Sequence, residues 1–164
     1  MLGPYGKLMI FNIYNLCTNL MTKVAFWQFL RENAGDIWRG NNSHMLWCRD
    51  FNQHHPLWDR DEDTHLFTLD ALWKAEPLIE LLADYDMEMI LQKGVPTLQH
   101  MHSKRYSRPD NIFCSRSMTN SVLKCSVDAE TCPTKTDHFP IATLLELPQE
   151  RIVSKPTCDF RMAD

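Results

Sequence analysis

Met45-Leu46-Trp47-Cys48-Arg49-Asp50-Phe51-Asn52-Gln53 is the stretch in which the fold of this 164-residue chain is most readable. Met45 to Cys48 form an apolar run too short for a helix, and Gly40-Asn41-Asn42-Ser43 before it is turn chemistry, so the run predicts a buried strand. Asp50 then stands at the strand's exit. In extended backbone, side chains two positions apart share a face. Asp50 and Asn52 therefore point together while Phe51 turns away. Taken alone, such a triplet is more often a turn or a helix cap than a site.

Elements of both kinds lie on either side. Upstream, Leu8 to Tyr14 (LMIFNIY) predicts another buried strand. Between Thr22 and Asn33 the residues Phe26, Trp27, Phe29 and Leu30 fall on one helical stripe, with Gly35 as a stop signal. Downstream, a polar loop from Gln53 to Asp63 leads into helical spacing from Leu66 to Tyr85, which Pro77 is expected to kink or restart. The charge run from Asp59 to Asp63 reads as a solvated loop. After Met87, short apolar pieces alternate with turns: Met89 to Leu91, Asn111 to Cys114, Val122 to Cys125 and Ile141 to Leu147. These predict a strand-rich second half with little helix. Pro148 to Asp164 lacks periodicity and reads as a loose tail behind one domain spanning residues 1–147.

Composition narrows the function. With 44% hydrophobic residues the chain can bury one real core. Seventeen Lys and Arg against 21 Asp and Glu give a net charge of -4, which argues against nucleic-acid binding through a broad basic surface. Carboxylates that hold cations would soften that objection. The six cysteines show no C-x-x-C pair or regular ladder and read as mostly buried free thiols. No apolar run approaches the roughly 20 residues a bilayer span needs, and no basic-then-apolar leader is visible, so an intracellular protein with no membrane partner is expected. His54-His55 and His100-x-His102 lack a third ligand at metal-binding spacing and read as exposed histidines.

Two further segments can carry chemistry. In Arg108-Pro109-Asp110-Asn111 the proline fixes the backbone and places Asp110 at a strand entrance. Thr136-Asp137-His138-Phe139-Pro140-Ile141 sets a carboxylate beside an imidazole just before the final strand. With Asp50-Phe51-Asn52, these supply hard oxygen donors, an amide suited to a phosphate oxygen, and a histidine with a carboxylate to orient it.

With Phe11-Asn12-Ile13-Tyr14-Asn15 and Asp50 through Pro56, these segments occur in the order seen in a known family. The chain resembles the endonuclease/exonuclease/phosphatase superfamily, and within it the endonuclease domain of LINE-type, non-long-terminal-repeat retrotransposons. The resemblance runs from about Gly3 to Leu147. It implies a DNase I-like four-layer α/β sandwich, two facing mixed sheets with helices outside, and magnesium- or manganese-dependent hydrolysis of DNA phosphodiester bonds, in the nucleus if the element is functional. By position, Asp50 resembles the aspartate that polarises the attacking water, and Asn52 its phosphate-binding companion. Asp110 resembles the carboxylate that orients the final histidine, His138 the histidine at the scissile phosphate, and Asp137 a metal-site carboxylate. Tyr14 resembles a tyrosine whose hydroxyl reaches a phosphate oxygen, with a core tyrosine as the equal alternative. Asn111 is taken as a further substrate-binding residue.

The sequence departs from that pattern in two places. A complete domain of this kind begins with two further strands that carry an asparagine and a glutamate ligand, and residues 1–12 contain no Asp or Glu. The expectation is a domain shortened at its N-terminus, with an incomplete metal site, an exposed edge and weak or absent activity unless a partner chain supplies the missing strands. A catalytically dead retroelement remnant, or a binding module with the same fold, is the alternative. The family also usually has glycine where this chain has Arg49, which would be strained if the backbone there needs a positive φ.

Overall fold

The protein is described here from a computed structural model covering residues 2–3, 6–15, 21–37, 43–134 and 136–146. The predicted C-terminal tail, Cys17 and Cys158 lie outside the described residues.

The main sheet has five strands in the order β1 (Leu2–Gly3), β2 (Gly6–Tyr14), β3 (Ser43–Asp50), β7 (Asp110–Ser115) and β4 (Met87–Met89). β2 and β3 run parallel, with Tyr14 opposite Asp50. β3 and β7 run antiparallel, with Asp50 opposite Asp110. Two hairpins complete the described strands: β5 (Leu98–Gln99) with β6 (Tyr106–Ser107), and β8 (Val122–Val127) with β9 (Ile141–Leu145). This is the mixed α/β architecture expected. Among the described residues, helices cover one face of the main sheet and the β8–β9 hairpin covers part of the other.

Strand alternation produces these two faces. Met45, Trp47 and Phe113, with Met9, Phe11 and Ile13 beside them, pack under the helices α1 (Met21–Glu32) and α3 (Leu69–Asp84). Leu46, Ile112 and Cys114 point the other way, onto Met118 and the hairpin residues Val122, Cys125, Ile141 and Leu145. Trp47 is fully buried and sits edge-on to Phe26 and tilted against Tyr85. Truncating such a ring to alanine costs about 3–5 kcal/mol.

Several expectations are corrected here. β2 is buried on both sides only at its start, where Leu8 joins the cluster under the hairpin; further along Ile10 and Tyr14 are exposed, and residues 8–14 pair only with β3 among the described residues. Of the α1 stripe, Leu30 is buried and Phe26 partly so, Phe29 is about half-exposed with its ring edge-on to Phe11, and Trp27 is partly exposed. Gly35 is not the stop. The backbone N–H and Nδ2 of Asn33 both donate to the Phe29 carbonyl and close α1, and Gly35 lies inside a short helix α2 (Ala34–Ile37).

Helix α3 starts at Leu69 rather than Leu66, where the Thr68 hydroxyl accepts the Ala71 N–H as an N-cap, and it continues through Pro77 unbroken. The hydrogen bond that Pro77 cannot make would go to the carbonyl of Trp73, on a flank open to water. Its buried stripe is Ala75, Leu78 and Leu81. Asp59 is not solvated either: it is 2% exposed, and its Oδ2 accepts the His55 N–H and the His54 ring N–H.

Candidate active site

Three segments distant in sequence meet at the end of the main sheet where β3 leaves and β7 enters. Tyr14, Arg49, Asp50, Asp110 and His138 line a cleft of about 600 Å³ there, with apolar walls that include Ile112, Phe139 and Ile141. The backbone of this corner is tightly tied. Asn15 N–H donates to the Asp50 carbonyl (2.9 Å) and Asn15 Nδ2 to the Phe51 carbonyl (2.7 Å). The Phe51 and Asn52 N–H groups both donate to the Pro109 carbonyl (3.0 and 3.1 Å), which locks the strand exit to the strand entrance.

His138 is held from two sides. Its backbone forms an antiparallel bridge with Leu98, flanked by hydrogen bonds from Gln99 N–H to the Asp137 carbonyl (2.9 Å) and from Phe139 N–H to the Thr97 carbonyl (2.7 Å). Its ring Nδ1 donates to Asp110 Oδ2 at 2.9 Å. With the carboxylate ionised, the proton sits on Nδ1 and Nε2 is left as the acceptor. Asp110 is fixed in turn by Thr97, which is fully buried. The Thr97 hydroxyl donates to Asp110 Oδ2 at 2.7 Å and accepts the Asp110 N–H at 3.2 Å. Thr97 was not foreseen from the sequence, where it follows Gly94-Val95-Pro96 and reads as turn.

Asp50 has a different environment. It is 6% exposed, and its Oδ1 has no hydrogen-bond partner. Burial first, and the neighbouring Asp110 carboxylate second, push its carboxyl above the usual aspartate range, while His138 and hydrogen bonds from Asn52 pull it down. A raised carboxyl of this kind holds a proton more readily, which suits a base that takes one from water.

The remaining expected residues are less central. Tyr14 is 60% exposed in the cleft and is no core tyrosine. Asn52 stands at φ 49 and directs its amide to the Asn15 carbonyl (2.8 Å) and to Asp50, so it orients the aspartate and does not line the cleft. The Asp137 side chain is half-buried and is not among the groups lining the cleft.

Asn111 is turned away altogether. It is 0% exposed, and its Oδ1 accepts from Arg108 Nε (3.1 Å) and Nη2 (2.7 Å), so it cannot contact a substrate. Arg108 is itself buried and donates also to the carbonyls of Leu91, Gln92 and Val95; without a carboxylate bonded to it, burial lowers its pKa to about 10. It pins the loop before β5 against the start of β7.

Arg49 occupies the strained position. Its φ is 101, in the left-handed region that glycine adopts freely and other residues adopt at a cost of about 1–3 kcal/mol. The need for a positive φ at the family's glycine position is therefore present, with an arginine filling it.

A family described as endonuclease-reverse transcriptase matches residues 8–142. The chain belongs to this family. No curated protein matches it. Among solved structures, the endonuclease domain of TRAS1, a telomere-specific non-LTR retrotransposon, is similar with a TM-score of 0.63 at 18% identity, over 83% of this chain and 56% of that one. An AP endonuclease from Archaeoglobus fulgidus gives 0.58 at 15% identity, over 85% and 62%. The 3′ phosphatase NExo from Neisseria, solved bound to product DNA hairpin, gives 0.62 at 14% identity, over 84% and 61%. These likenesses establish a DNase I-like endonuclease/exonuclease/phosphatase fold. The chain spans 56–62% of the length of these structures.

The family is associated with divalent metals. Among the described residues, no three histidine, cysteine or carboxylate groups come together to hold a metal ion. Asp50 Oδ1 is the one bare carboxylate oxygen buried at the site, and a single carboxylate falls short of the ligands a resident hard cation requires. The described side chains alone do not build a magnesium site.

Proposed function

We propose that this chain is a nuclease-type phosphodiesterase domain that acts on DNA. The observation that supports this reading is the convergence of Asp50, Asp110 and His138, from three separate segments, on one cleft, with His138 oriented through Asp110 and Thr97. In this reading Asp50 takes a proton from the attacking water. When His138 carries protons on both ring nitrogens, its Nε2–H, facing away from Asp110, donates to the scissile phosphate or passes its proton to the leaving oxygen as the P–O bond breaks, and the exposed Tyr14 hydroxyl reaches a phosphate oxygen. The family description and the DNA hairpin bound by the Neisseria protein favour DNA as the substrate. A nuclear site of action follows if the element is functional.

Magnesium or manganese dependence belongs to the same proposal, with Asp137 as an additional carboxylate, and is read from the assay. The purified chain is incubated with supercoiled plasmid in magnesium, in manganese and in chelator, beside His138→Ala. Metal-dependent nicking lost in the variant is the expected result. Cleavage that persists in His138→Ala refutes the assignment.

A second reading, a catalytically dead module with the same fold, is favoured by the lack of a three-donor metal cluster among the described residues and by the arginine at a glycine-type position. A folded sample that nicks nothing in any metal supports that reading.

A further inference from the structure

Regular alternation along β3 would send Arg49 to the face of Trp47 and its strand partner Asn111, where Arg108 already lies buried. It does not go there. At φ 101 the residue is exposed and lines the cleft beside Cys48, Asp50 and His138.

The backbone conformation belongs to the framework, because hydrogen bonds on the following residues, from Asn15 to the Asp50 carbonyl and from Phe51 to the Pro109 carbonyl, fix the corner. Glycine would satisfy that framework without strain. Among the described residues, none bonds or pairs with the guanidinium. Nor does it form an ion pair with the neighbouring Asp50, whose Oδ1 has no hydrogen-bond partner among the described residues. Strain retained at a cleft residue is an observation from which function can be inferred.

Charge points the same way. Two carboxylates, Asp50 and Asp110, face the cleft, and Arg49 is the one permanently charged cation among the described residues lining it. A phosphodiester entering there meets like charge unless a donor receives it. The planar guanidinium offers paired N–H groups that match two oxygens of a phosphate.

We propose that Arg49 is an anion-binding residue of this cleft that receives the non-bridging oxygens of a phosphodiester. The proposal rests on the phosphodiesterase reading above and names a contact that the family's glycine cannot make.

The test compares wild type, Arg49→Gly and Arg49→Lys in chelator. Each is titrated against a short DNA duplex at several salt concentrations, and against bis(4-nitrophenyl) phosphate. Because glycine relieves the strain, Arg49→Gly is expected to melt about 2–4 °C higher. It should nonetheless bind the duplex about tenfold more weakly, with the salt-dependence slope reduced by about one. Arg49→Lys should recover part of the affinity.

Equal binding by wild type and Arg49→Gly, with an unchanged slope, overturns the proposal, as does an Arg49→Gly variant that melts lower. Wild type that ignores the duplex but binds bis(4-nitrophenyl) phosphate through Arg49 refutes DNA as substrate and leaves Arg49 standing. Wild type that binds neither overturns both.

Discussion

Replacing Asp50 with asparagine should stabilise the protein at neutral pH while removing the proposed base. Asp50 is buried, its Oδ1 is unpartnered, and the Asp110 carboxylate faces it across the strand pair. A buried polar group without a partner costs about 1–3 kcal/mol, and more when it is charged. Asparagine keeps the shape and removes the charge, but it leaves one oxygen unpartnered and weakens the hydrogen bonds from Asn52. The net gain is therefore about 1 kcal/mol, or about 2–4 °C in Tm for a chain of this size.

The pH dependence has a definite sign. The folded Asp50 carboxyl is raised above its ordinary value of 3.8, so the folded state binds the proton more tightly than the unfolded chain does. That stability is fully present below the unfolded value and is lost as pH rises through the folded one. The advantage of Asp50→Asn is thus complete at pH 7 and closes toward pH 3.8, where the wild-type carboxyl is protonated too. Scanning calorimetry in chelator across that range measures it. A variant no more stable than wild type at pH 7, or a difference that ignores pH, refutes the reasoning.

Two more outcomes follow from the same framework. Arg108→Met should destabilise the fold by about 3–5 kcal/mol in urea denaturation, because it strips the donors from Asn111 Oδ1 and from the carbonyls of Leu91, Gln92 and Val95; a loss below about 1 kcal/mol would show that water replaces them. Thr97→Val should cost about 1–3 kcal/mol in stability and lower the nicking rate more than Thr97→Ser does, since serine keeps the hydroxyl on Asp110; equal rates for the two variants would remove Thr97 from the positioning of His138.

The sequence made the sheet legible where side-chain periodicity is strong. Met45 to Cys48 and Ile112 to Cys114 are short apolar runs, and they became the paired central strands β3 and β7. Asp50 and Asp110 could be placed at a strand exit and a strand entrance, but their pairing is a long-range fact that no local pattern carries. Asn111 follows the regular alternation of its strand: neighbouring residues face opposite ways, so with Asp110 in the cleft Asn111 points to the other face.

Thr97 and the β5–β6 hairpin were invisible because two-residue strands carry no alternation to read. Pro77 and Asp59 misled for the same kind of reason. The bond that Pro77 forgoes falls on a wet flank, which its local sequence does not show, and two local N–H donors, not the surrounding charges, decide the burial of Asp59.

The position held by Arg49 also has a genetic consequence. Glycine and arginine codons are separated by a single base, so one nucleotide substitution can move this slot from the residue its backbone prefers to one that brings a charge into the cleft. A tolerance for mutation set by the margin of folding stability would then decide which copies of such a domain can carry the arginine. Copies with a better-packed core could accept it, and those closer to unfolding would keep only the glycine.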